Sequence, residues 1–151
     1  MKAMSRFLVT LSMLLVVIPA NAYDDGTSMF PIINKSREIV SFIEDEMNYE
    51  VVRIELDILR TSKTIVRTLS SDYNYAIVAY GDSRFKDIDV KVYAKYGGEW
   101  ELVSQDTDSE PVAIASVEPS YTREYMIEIT AYEFYSGYDV GHYGLVICHN
   151  K

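Results

Sequence analysis

Two hydrophobic periods follow each other along this chain. Ile39, Val40, Ile43 and Met47 recur at three- and four-residue steps, with Glu38, Ser41, Glu44 and Asp45 on the other side. That spacing predicts an amphipathic helix over about residues 35–48 with one face to bury. Asn34 is placed to cap it and Asn48 to stop it. The period then changes from 3.6 to 2. Val52, Ile54, Leu56 and Ile58 alternate with Arg53, Glu55 and Asp57. After a turn at 60–63, apolar positions resume over 65–69, and 75–80 is a short continuous apolar run. Ile88, Val90, Val92 and Ala94 alternate with Asp89, Lys91, Tyr93 and Lys95. Gly97-Gly98 is a tight hairpin signal leading into Trp100 and Leu102. Strands are predicted again at 112–117, 125–131 and 143–147.

About eight strands with short loops and one early helix leave no crossover helices for a parallel sheet. The predicted fold is therefore mainly β: an antiparallel β-sandwich or jelly roll, one face of each sheet inward, preceded by one short α-helix. The helix is expected to pack on one sheet or to cover an open end. Residues 35–151 form a single domain, and residues 23–34 a flexible polar lead-in.

The first 22 residues follow neither period. Lys2 and Arg6 precede an apolar stretch from Phe7 to Ile18, then Pro19 and Ala20-Asn21-Ala22. This is the tripartite pattern of a secretory signal peptide cleaved after Ala22. The apolar stretch falls short of the roughly 20 residues of a membrane span; an uncleaved anchor is the alternative. The processed chain is then periplasmic or secreted, without a stable membrane span.

Composition narrows the function classes. The chain has 151 residues and a formal net charge of −9, so nucleic acid is not an expected partner. The single cysteine, Cys148, cannot close an intramolecular disulfide; a buried thiol is its expected state, with intermolecular pairing as the alternative.

The stretch from Tyr75 to Ile147 resembles the bacterial pre-peptidase C-terminal domain, most closely its stand-alone exported form. The resemblance is carried by YAIVAYGDS at 75–83, DIDVKVY at 87–93, the Gly97-Gly98 hairpin, SQDTDSEP at 104–111, EPSYTREYMIEI at 118–129 and HYGLVI at 142–147. No single motif is specific; their order carries the likeness. It implies a β-sandwich, an exported location and a non-catalytic accessory role, with calcium bound in some related modules. Stand-alone members often carry cysteine pairs where this chain reads GDSRF and YSGYD, so those disulfides are missing here.

Catalytic chemistry finds little material. His142 and His149 are the only histidines. Ser136, Asp139 and His142 make a nominal trio, but no Gly-x-Ser-x-Gly elbow accompanies it. His142 reads as a surface or strand-end residue and His149 as part of a mobile terminus. One cysteine and two histidines do not complete a zinc site. Calcium takes oxygen ligands, and Asp82, Asp87 and Asp89 are the candidate set, with Asp106, Asp108 and Glu110 as a second acidic turn. Neither has hand-type calcium-loop spacing. The 13 tyrosines are more distinctive. Tyr93 and Tyr132 are predicted outward by alternation and, with Trp100, are the candidate ligand-binding aromatics. The expected function is a non-enzymatic binding module at the cell envelope, acting through an acidic, tyrosine-rich surface on a protein or glycan; protein is favoured because no deep cleft is implied. The alternative is a calcium-stabilised structural module with no diffusible ligand, and a hydrolase ranks last.

Overall fold

The computed structural model describes residues 28–150; residues 1–22, expected to be a signal peptide, lie outside the described residues. The element order is α1 (Phe30–Ser41), a π turn (Phe42–Glu46), β1 (Tyr49–Leu59), β2 (Ser62–Leu69), β3 (Tyr75–Gly81), β4 (Phe85–Tyr96), β5 (Glu99–Asp106), β6 (Val112–Val117), β7 (Arg123–Phe134) and β8 (Gly141–Asn150). Sheet 1 has the order β1-β8-β3-β6 and sheet 2 the order β2-β7-β4-β5. Every strand pair is antiparallel. The chain changes sheet at each connection except the β4–β5 hairpin, which gives the strand order of a jelly roll. Gly97 and Gly98 make that hairpin with φ of 56° and 99°, the pair of positive values a two-residue turn of this hand requires.

The main core lies between the sheets. Ile77, Leu145 and Ile147 of sheet 1 meet Ile88, Val90, Val92, Ile127 and Ile129 of sheet 2, all essentially buried. A second apolar layer lies outside sheet 1, where α1 covers it. Ile32 and Ile43 pack there against Ala76, Val78, Tyr80, Val146 and Cys148. Buried from both sides, β3 shows no exposed residue along its length. That is why residues 75–80 read as a continuous apolar run rather than an alternation.

Two expectations are corrected. The helix begins at Phe30, with Met29 as N-cap and Pro31 in the first turn, not after Asn34. Proline needs no N–H partner there. The buried stripe therefore starts at Ile32 and Ser36, and residues 30–34 are helical rather than flexible. Asn48 does stop the helical segment, at φ 56°. The second correction concerns β1, whose apolar residues were expected to face the core. A bulge at Val52 resets the register, and Ile54, Leu56 and Ile58 share the outer, helix-covered face. Ile54 and Ile58 remain exposed there. Glu55 and Asp57 point inward instead, opposite Leu145 and Tyr143. There they meet Arg67 and Lys63 of β2, with Arg53 also on Glu55. Since β1 and β2 are edge strands, this row of ion pairs closes the seam between the sheets and sets charge against pairing with a further strand.

Candidate functional site

The free outer face of sheet 2 carries the residues of interest. On β4, the core side chains Ile88, Val90 and Val92 alternate with Asp87, Asp89, Lys91 and Tyr93 on the outer side. Asp89 stands opposite Thr130 of β7, and Lys91 opposite Glu128. Bulges at the start of β4 bring Asp87 across from Glu133, next to Tyr132. The loop after β5 folds over the same end, held by a 3.0 Å hydrogen bond from the Ile88 N–H to the Glu110 carbonyl. Together these elements enclose a depression of about 330 Å³ lined by Asp87, Asp89, Lys91, Thr107, Ser109 and Tyr132.

Two carboxylates form its base. Asp87 is 3% exposed and Asp89 8%. Asp87 Oδ1 is buried with no hydrogen-bond partner among the described residues. Burial pushes the Asp87 carboxyl above its ordinary pKa, partly offset by the Ser109 hydroxyl, while Glu133 adds to the rise. Burial also raises Asp89, with Asp87 adding its charge and Lys91 opposing it. Tyr132 lines the same depression and is 70% exposed. An unpaired acceptor oxygen in a buried site costs free energy unless something outside the chain meets it. The depression thus presents acceptors at its base, hydroxyls and an ammonium on its walls, and an apolar ring face at its rim.

The predicted site residues divide. Asp87 and Asp89 from the metal set and Tyr132 from the aromatic set come together. Asp82 does not join them: it sits in the β3–β4 turn, paired with Arg84 and accepting the His142 backbone N–H at 2.8 Å. No cluster of three or more metal-type ligands occurs among the described residues. Tyr93 lies on the same face, where its hydroxyl donates to Glu128 at 3.0 Å. Trp100 pairs with Lys95 near the far end of β4, and the Lys95 ammonium lies 5.4 Å from its ring centre. Counting residues along β4, Tyr132 and Trp100 are separated by roughly 20 Å at about 3.3 Å per residue. The three aromatics share a face but not a site.

Sequence reasoning missed Lys91, Thr107 and Ser109. Its attention in that loop went to the acids, yet Asp106 is engaged by the backbone N–H groups of Ile114 and Asp108. The histidines are also corrected. His142 does sit at a strand end, at the start of β8, but it is buried rather than superficial, its Nδ1 2.8 Å from Arg84 Nη2. Because a guanidinium only donates, Nδ1 accepts and the ring proton sits on Nε2. Asp139 pairs with Arg60 instead of His142, so the nominal serine trio is not assembled. His149 is held rather than mobile, stacked on Tyr73 with ring centres 4.0 Å apart. Cys148 is buried as expected, donating to the Ala76 carbonyl at 3.4 Å. No helix among the described residues is long and apolar enough to cross a membrane.

Neither a family model nor a curated protein matches the chain. Among solved structures, it is similar to the Yersinia pseudotuberculosis-derived mitogen, with a TM-score of 0.48 at 11% identity, covering 68% of this chain and 87% of that one. It is also similar to part of a protein assigned as an alpha-L-fucosidase from Bacteroides thetaiotaomicron, with a TM-score of 0.40 at 17% identity. That likeness covers 75% of this chain but 26% of the other. At these distances neither likeness carries an argument about this chain.

Proposed function

We propose that this protein is an exported, non-catalytic binding module whose ligand is a hydroxyl-rich molecule, a glycan of the cell envelope, seated in the depression over Asp87 and Asp89. The observation that carries the reading is the depression lined by Asp87, Asp89 and the exposed Tyr132, with Asp87 Oδ1 buried and without a hydrogen-bond partner among the described residues. A sugar supplies what that arrangement lacks: O–H donors for the carboxylates and a C–H face for the ring. The resemblance to pre-peptidase C-terminal modules agrees with a non-catalytic exported role, as does the leader read from residues 1–22. A peptide partner is less well served, because the depression is small.

Calcium is the second reading, favoured by the same free oxygen. Against it, Lys91 lines the depression and would repel a cation. Glycan-array binding of the purified protein, repeated in chelator and with Asp89→Asn and Tyr132→Ala, tests the proposal. The expected result is selective glycan binding that survives chelation and is lost in both variants. A calcium-dependent rise in melting temperature, with no sugar bound, would replace it with the calcium reading.

A further inference from the structure

A second cavity lies on the opposite side of the molecule. Between the helical segment and the outer face of sheet 1 is a cleft of about 310 Å³. Its floor is low because Ala76 and Cys148, two small side chains, face each other across β3 and β8. Its roof is Ile39 and Ile43, and its lips are Phe42, Met47 and Ile114. The π turn shapes the opening. It follows directly on α1 at Phe42, and Phe42 is 58% exposed. Such turns recur where a helix is adapted to a ligand. Ile114 answers from β6 at 51% exposure.

The chemistry of the cleft is one-sided. Its floor adds no charge: burial pushes the Cys148 thiol up to about 11, so it stays neutral. Glu38 is the sole charged residue lining the cleft among the described residues. A cavity without polar partners does not hold water well, and one of about 150 Å³ already admits benzene. The volume here therefore suits an alkyl chain. The charge at the mouth then selects the head group. Besides Glu38, the adjoining π turn carries Glu44, Asp45 and Glu46. A carboxylate-headed chain would be repelled and a cationic head attracted.

We infer that this cleft binds the apolar chain of a cationic amphiphile, independently of the sheet 2 depression. The burial of Ile43 and the exposure of Phe42, one residue apart, express the same geometry: the helical segment is anchored on one side and open on the other. The test titrates the purified protein with decyltrimethylammonium and with decanoate, both below micelle formation, following methyl resonances of Ile114 and Met47. Decyltrimethylammonium is expected to bind at least about tenfold more tightly than decanoate. Ala76→Met, which fills the floor, is expected to abolish binding. Glu38→Lys leaves the interior untouched and is expected to narrow the preference for the cationic head, since Glu44, Asp45 and Glu46 remain. Equal binding of the two amphiphiles, or undiminished binding in a folded Ala76→Met protein, would overturn the inference. So would an unchanged preference in Glu38→Lys, which keeps the test decisive if Ala76→Met does not fold.

Discussion

The Tyr80 hydroxyl donates a 2.8 Å hydrogen bond to the Ser36 hydroxyl, which in turn donates to the Ile32 carbonyl at 2.6 Å. This chain of bonds fastens α1 to the centre of sheet 1. The Tyr80 ring lies directly over Gly144 of β8, where an added Cβ would overlap it. Tyr80→Phe removes the bond but leaves Ser36 bonded to its own helix, so a loss of about 1 kcal/mol is expected in urea unfolding. Gly144→Ala drives a methyl into a ring that is fully buried and cannot retreat, and should cost about 1–3 kcal/mol.

The Asp82–Arg84 pair joins the β3–β4 turn to β8. Burial alone would raise the Asp82 carboxyl, but hydrogen bonds from the Arg84 side chain and from the Arg84 and His142 N–H groups outweigh it and hold the carboxyl below its ordinary range. Asp82→Asn removes the carboxylate that the buried Arg84 guanidinium bonds in the β3–β4 turn and should destabilise the protein by about 3–5 kcal/mol. A carboxyl with a depressed folded-state pKa contributes stability that is present above its unfolded value and lost as the pH falls through the folded one. The gap between wild type and Asp82→Asn, measured by urea unfolding, should therefore close on acidification.

Asp87 behaves in the opposite sense. Its folded-state pKa is raised, so the folded protein takes up the proton more readily than the unfolded chain and loses stability as the pH rises through that range. Asp87→Asn should stabilise the protein at neutral pH by roughly 1 kcal/mol, with the gain vanishing in acid. A binding site that costs stability when empty is expected to show this trade. A neutral or destabilising effect at pH 7 would mean that the free oxygen is not a strained acceptor.

The ion pairs along the β1–β2 seam are unequal. Asp57 and Lys63 are solvated, so Asp57→Asn should change stability by no more than about 0.5 kcal/mol. Glu55 is better covered and is shared by Arg53 and Arg67. Glu55→Gln leaves two guanidinium groups facing one another and should cost about 1 kcal/mol by urea unfolding, with an increased tendency to associate through the exposed edge.

The sheets were legible in the sequence because seven of the eight strands obey rules that act locally. Alternation placed the inner faces of β4 and β7, and Gly97-Gly98 fixed their neighbouring hairpin. β1 defeated the same rule. Its apolar residues do alternate, but a bulge at Val52 reverses the register and turns Ile54, Leu56 and Ile58 to the outer face of sheet 1, where Leu56 packs against the helix-side layer and Ile54 and Ile58 stay exposed. Nothing within the strand announces which face its apolar set will take. Half the candidate site was legible for a related reason. Asp87, Asp89 and Tyr132 are outward by alternation, whereas Asp82 sits in a turn, where a side chain follows no period and the nearest cation decides its role. Thr107 and Ser109 reach the site only because the loop after β5 folds back onto β4, a contact between residues some twenty positions apart.

The central claim is that the depression at the β4–β7 end of sheet 2 receives a hydroxyl-rich ligand. Amide and side-chain NMR of the protein during titration with a glycan selected on the array measures it most directly. The account predicts shifts confined to Asp87, Asp89, Lys91, Thr107, Ser109 and Tyr132, with the Trp100 indole signal unmoved. Shifts centred on Trp100 and Tyr93, or on the helix-covered face of sheet 1, would contradict it.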